Sequence, residues 1–95
     1  MHEEAMLRDL RKKLEEVAAG ANARKIRRVS IELGPLCHVS ERTLRSRWEE
    51  VVAGTPAAGC RLEVRTLPDA DDPRATSLRL VDVDVSVDEN APART

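Results

Sequence analysis

The sequence predicts an α+β fold, a two-layer sandwich in which two helices pack on one face of a three-stranded mixed sheet. Two segments repeat apolar residues at spacings of three and four, and three segments alternate apolar with polar residues. Along the chain these segments give the order helix, strand, helix, strand, strand. Because each strand has one polar face and each helix one apolar stripe, two layers bury all of the apolar surfaces together.

Two helices are predicted, each with one apolar stripe. In the first, over residues 3–19, the stripe consists of Leu7, Leu10, Leu14 and Val17. The second helix follows Ser40, a residue type that favours the N-cap, and it ends before Gly54 and Pro56. Its stripe consists of Leu44, Trp48, Val51 and Val52. We expect Trp48 to anchor the core.

Three strands are predicted, over residues 24–33, 60–66 and 78–87. In the third strand the apolar residues change phase between Leu80 and Val81, which predicts a β-bulge there. A helix joins the first two strands, so these are expected to be parallel if they are neighbours.

The last two strands are expected to form an antiparallel hairpin. On its polar face, two arginines would then lie opposite two aspartates: Arg61 and Arg65, and Asp82 and Asp84. One core is expected between the layers, made of Leu10, Leu14, Val29, Ile31, Leu44, Trp48, Leu62, Val64, Val83 and Val85.

The composition excludes several classes of protein. The 95 residues suffice for one domain, and 16 Lys and Arg against 17 Asp and Glu leave a net charge of -1. A dedicated nucleic-acid binder carries a clear basic excess. No apolar run approaches the roughly 20 residues of a membrane span, and the N-terminus lacks the apolar stretch of a secretory signal. We therefore predict a soluble, cytoplasmic protein that binds neither nucleic acid nor membranes.

Few residues are candidates for catalysis or for metal binding. The sequence contains no readable Ser–His–acid arrangement and no Gly-rich phosphate loop, so we do not expect an enzyme. Cys37 and His38 are neighbours in the turn after the first strand. This pair is interpreted either as a half-buried thiol beside a solvated imidazole, or as a weak candidate for a metal or redox position.

The start of the chain offers a chelating group. The Met1 amine, the His2 backbone nitrogen and the His2 imidazole can bind one cation through a five-membered and a six-membered ring. Three nitrogens in one plane suit square-planar Ni(II) or Cu(II). A histidine at the second position is more often a simple terminal residue, so the sequence context decides between these interpretations.

That context is an ordered set of motifs. They are MHE before an amphipathic helix, IELGPL at the end of the first strand, and VVAGTPAAGCRLEV from the second helix into the second strand. Together they resemble the HypA/HybF family, the nickel metallochaperones of [NiFe]-hydrogenase maturation. The resemblance covers residues 1–88, interpreted as a single domain, with 89–95 as a frayed tail. It implies that Met1, His2 and Glu3 hold Ni(II), and that the partners are the hydrogenase large subunit, a nickel GTPase maturation factor, or both.

Two features depart from the family pattern. The family inserts a zinc domain with two CxxC pairs between its second and third strands, where this chain has only a short loop over 68–77. We therefore expect no structural zinc. The family also commonly carries an acidic residue in the turn before the second helix, where this chain has Ser40 beside Glu41. Cys37 and His38 of the same turn are candidates to replace it.

Two functions remain open from the sequence. The MHE start favours a nickel metallochaperone-like accessory protein for hydrogenase maturation. The short loop and Ser40 favour a degenerate, non-metal-binding adaptor or assembly chaperone that binds a hydrogenase subunit or a maturation partner. A nickel titration of protein with a free N-terminus separates the two.

Overall fold

The structure is a computed structural model that describes the backbone of residues 2–87, and their side chains except those of His2, Ala23 and Val87. Met1 and the tail predicted over 89–95 lie outside the described residues. The five predicted elements are all present, as α1 His2–Gly20, β1 Ala23–Leu33, α2 Glu41–Val52, β2 Arg61–Thr66 and β3 Leu78–Val87. The described helices include none that is both long and apolar enough to cross a membrane.

The sheet has the order β2-β1-β3, so β1 is its central strand. β1 and β2 are parallel neighbours, as expected for strands that a helix connects, and β3 is antiparallel to β1. The expected hairpin between β2 and β3 is therefore wrong. The loop 67–77 is long enough to cross the end of β1. It is hydrogen-bonded to that end, where Leu67 N donates to Leu33 O at 2.8 Å.

The polar face of the sheet differs from the prediction for the same reason. The central strand separates two groups of side chains that were expected to face each other: Arg61 and Arg65, and Asp82 and Asp84. Arg28 of β1 connects the outer strands instead. Its guanidinium lies 3.1 Å from Glu63 Oε1 on β2 and 2.8 Å from Asp82 Oδ2 on β3.

The predicted bulge in β3 is confirmed. The register between β1 and β3 shifts between Ser30, which pairs with Asp82, and Ile31, which pairs with Leu80. Val81 is the extra residue, and 47% of its surface is exposed. Because the bulge restores the phase, apolar residues on both sides of it pack against the core, namely Leu78, Leu80, Val83 and Val85.

One core lies between the two layers, as predicted. The expected residues of the helices and of the central strand are buried: Leu10, Leu14, Val29, Ile31, Leu44 and Trp48. Those of the outer strands are half-buried and pack against this core: Leu62, Val64, Val83 and Val85. Their partial exposure follows from their position at the two edges of the sheet.

The loop 67–77 also closes the end of β1. Leu36 N donates to Ala75 O at 2.7 Å, and Gly34 N donates to Ser77 O at 2.9 Å. Ala75 is buried, and a Cβ on Gly34 would collide with its backbone carbonyl. Glycine therefore permits the loop to approach the turn after β1 this closely.

Candidate metal site

Two of the predicted nickel ligands, His2 and Glu3, are the first residues of α1. The first N–H groups of a helix have no acceptor within that helix, so helix formation leaves the His2 amide available to a metal. Met1 and the His2 side chain are outside what the structure describes. The Glu3 side chain is described, and 39% of it is exposed. The first turn therefore presents a carboxylate next to the predicted chelating group.

Arg47 of α2 contacts this first turn. Its Nη1 atom lies 2.8 Å from Glu4 Oε2 and 3.5 Å from Glu3 Oε2, and its Nε atom pairs with Glu50 on α2. The hydrogen bond from Arg47 lowers the pKa of Glu4, and the bond to Glu4 raises the pKa of Arg47. One guanidinium thus links the N-terminal turn of α1 to α2 through charged groups.

Sequence reasoning missed this contact. Arg47 and Glu3 are 44 residues apart in the chain, and nothing in either segment indicates that they meet. The only readable signal is the spacing of Arg47 and Glu50, which predicts an ordinary pair within one helix. Of the two glutamates at the start of α1, Glu3 is predicted only as a nickel ligand and not as a partner of Arg47.

The turn before α2 uses its polar groups within the fold. Ser40 is the N-cap of α2, as predicted, and its Oγ accepts a hydrogen bond from Thr43 N at 3.1 Å. Glu41 Oε2 accepts from Arg45 Nε at 2.9 Å. The hydroxyl at the position where the family commonly has an acid therefore satisfies a helix N-terminus.

The other two candidates in this turn are differently placed. Cys37 N donates to Gly34 O at 3.1 Å, and the half-buried Cys37 side chain lines a cavity of about 170 Å³. His38 is exposed. Among the side chains that the structure describes, no three from His, Cys, Asp and Glu gather closely enough to hold a metal ion. Within the described part of the chain, the side chains of this turn therefore do not form a metal site together with Glu3.

Cys60 lies just before β2 and packs against the core. Burial raises the pKa of its thiol, and the Trp48 indole N–H, which faces the sulfur, offsets part of that rise. Among the described residues, Trp48 Nε1 nevertheless has no acceptor that meets the geometry of a hydrogen bond. Its contact with the thiol is therefore weak, because sulfur is a weak acceptor. A thiol that stays protonated at neutral pH is a poor metal ligand.

Residues 1–70 match the model of a known protein family. That family is described as hydrogenase/urease nickel incorporation, metallochaperone, hypA. The chain is 38% identical over 68 residues to the hydrogenase maturation factor HypA of Azotobacter chroococcum mcd 1, and 35% identical over 68 residues to that of Azotobacter vinelandii. Each match covers 72% of this chain and 60% of the relative, so the chain spans about 60% of the length of these proteins. The family description names a metallochaperone, in agreement with the expectation that the chain is not an enzyme.

The fold is also similar to a solved structure. The solution structure of the Ni metallochaperone HypA from Helicobacter pylori superposes with a TM-score of 0.74, at 16% sequence identity. The match covers 88% of this chain and 97% of that one. At this identity the likeness shows that the two chains share a fold.

Proposed function

The chain belongs to the HypA family, and from this premise we propose that it is a nickel metallochaperone-like accessory protein in the maturation of [NiFe]-hydrogenase. The proposed cargo site is the N-terminal Met1-His2-Glu3. The observation that carries the proposal is the family match, which begins at Met1 and so includes this terminus.

The proposed ligands are three nitrogens and one oxygen. The Met1 amine, the deprotonated His2 amide and the His2 imidazole supply the nitrogens, and the Glu3 carboxylate supplies the oxygen. Because the amine, the amide and the imidazole must lose protons to bind, affinity should fall as the pH drops through the range of amine and histidine, from about 8 to about 6.5. Cys37 and His38 are proposed as secondary contributors only.

The proposed partners follow from the same resemblance. They are the hydrogenase large subunit, a nickel GTPase maturation factor, or both, in the cytoplasm; the family description also names urease. We propose in addition that the domain folds without structural zinc, because the loop 67–77 closes the sheet through its own hydrogen bonds. Strong chelators should therefore leave the protein folded.

The test is calorimetric titration of Ni(II) into untagged protein that begins at Met1. The variant His2→Ala should lose measurable binding, and so should wild type with an uncleaved N-terminal tag, because each removes one chelating nitrogen. Circular dichroism should show an unchanged fold, since α1 buries its stripe further along the helix. Cys37→Ser and His38→Ala are control variants in the turn before α2, and each should reduce affinity only slightly.

One observation favours the second function, an adaptor or assembly chaperone that does not bind metal. Ser40 occupies the position where the family commonly has an acid, and its hydroxyl is used to cap α2. If Ni(II) binds equally to wild type and to His2→Ala, the metallochaperone proposal fails and the adaptor takes its place. Capture of a hydrogenase large subunit by the nickel-free protein then becomes the defining measurement.

A further inference from the structure

We infer that Arg47 competes with Ni(II) for the Glu3 carboxylate, and so weakens the binding of a cargo that must be passed on. The inference rests on the proposed function, because it concerns the same N-terminal site. It assigns Arg47 as a positioning residue that acts through Glu3 and does not touch the metal.

The two glutamates at the start of α1 contact Arg47 unequally. Glu4 Oε2 lies 2.8 Å from Nη1, which is the length of a strong charge-assisted hydrogen bond. Glu3 Oε2 lies 3.5 Å from the same nitrogen, at the outer limit for such a bond. Glu4 therefore provides the firm link between the helices, and Glu3 provides a contact that exchanges readily.

The guanidinium remains compensated when Glu3 leaves. Glu4 and Glu50 both pair with Arg47, so departure of Glu3 does not leave an isolated charge. The Arg47 and Glu3 side chains are 32% and 39% exposed, and water can replace the lost contact. In the inferred exchange, the Glu3 carboxylate leaves Arg47 and binds the metal.

A carboxylate that binds Ni(II) cannot at the same time keep its full interaction with the guanidinium. The metal affinity should therefore be lower than that of the same ligands without Arg47, by the free energy of the Glu3–Arg47 contact. Arginine stays charged at every physiological pH, so this competition does not vary with pH. When the metal departs, Arg47 is in place to take Glu3 back.

The primary test is the Ni(II) affinity and the thermal stability of Arg47→Gln. Affinity should rise about two- to fivefold, the range expected for loss of a weak, partly exposed ion pair, while the melting temperature falls because the link to Glu4 is lost. A residue that only held the helix in place would lower both quantities. Arg47→Lys should restore most of the wild-type affinity. Arg45→Gln removes a charge from the same helix, where the partner is Glu41, and should leave the affinity unchanged.

A double-mutant cycle then locates the effect. In a Glu3→Gln background the three nitrogens still bind Ni(II), but the gain from Arg47→Gln should disappear. A gain that persists there would mean a general effect of charge and would overturn the inference, as would unchanged or reduced affinity in Arg47→Gln alone. Failure of the proposed function has a different signature, because His2→Ala would then bind Ni(II) as well as wild type.

Discussion

The first turn of α1 and the turn between β1 and α2 contain the two sets of candidate ligands, and they are built in opposite ways. In the first turn, Glu3 and Glu4 reach Arg47 through partly exposed ion pairs. In the other turn, Gly34 lies against the backbone of the loop 67–77, and Ser40 caps a helix. Side chains that hold one another by exposed charges can exchange partners at little cost, whereas side chains that satisfy the backbone cannot.

The largest effect is expected from Gly34→Ala. The added Cβ would collide with the carbonyl of Ala75, which is buried and backbone-bonded, so the loop must move away from the turn. We expect a loss of about 3 kcal/mol in the free energy of unfolding, at the upper end of overpacking costs. Urea denaturation measures it.

Gly20→Ala is the matched control, because nothing lies within 4 Å of the Cβ that it would add. Gly20 ends α1, where alanine should be neutral or slightly stabilising. Equal stability of the two variants would contradict the close packing assigned to the turn after β1.

A smaller effect is expected from Ser40→Ala. The variant leaves Thr43 N without its acceptor, which should reduce the free energy of unfolding by about 1 kcal/mol. The Ni(II) affinity should stay at the wild-type value, because the Ser40 hydroxyl serves α2 and not the metal. Calorimetry and urea denaturation of the same sample measure both quantities. A large drop in Ni(II) affinity without a loss of stability would show that the comparison between the two turns is wrong.

The smallest effect is a local response to acid. Arg47 lowers the pKa of Glu4, so their contact stabilises the first turn above the ordinary carboxylate range, near pH 4, and this contribution is lost as the pH falls through the lowered pKa. Beside the other turn, Arg74 lowers the pKa of Asp72 to about 2, and that contact is lost only near that pH. NMR spectra recorded from pH 6 to pH 2 should therefore show changes at Glu4 before changes in the loop. Simultaneous changes in both regions would refute this order.

Much of the fold could be predicted because the patterns that specify it are local. The alternation in β3 placed the bulge at Leu80–Val81, and the spacing of apolar residues placed both helices. The order of the strands in the sheet, in contrast, does not depend on local patterns. A loop of this length can either reverse beside β2 or cross the end of β1, and the contact that decides between them joins Gly34 to Ala75. Sequence reading can identify that glycine, but it cannot identify its distant partner.

The candidate site likewise contains residues that the sequence predicts and one residue, Arg47, that it does not. Met1, His2 and Glu3 are consecutive residues, and so this candidate ligand set can be read directly from the sequence. Ser40 could be assigned as an N-cap because its partner lies three residues away. Arg47 could not be assigned, because its role depends on how α1 packs on α2. Long-range ion pairs leave no periodic trace in a sequence.

The bulge at Val81 also has a consequence for the behaviour of the protein in concentrated solution. β3 forms one edge of the described sheet, and an edge strand of regular ladder geometry is a template on which another chain can add a strand. The extra residue interrupts the even spacing of backbone donors and acceptors, and Asp82 follows it immediately with a negative charge. The bulge is one of three register shifts between β1 and β3, and it is the one that places the extra residue in the edge strand. Deleting Val81 would make β3 itself regular, and we expect the variant to self-associate more readily at high concentration.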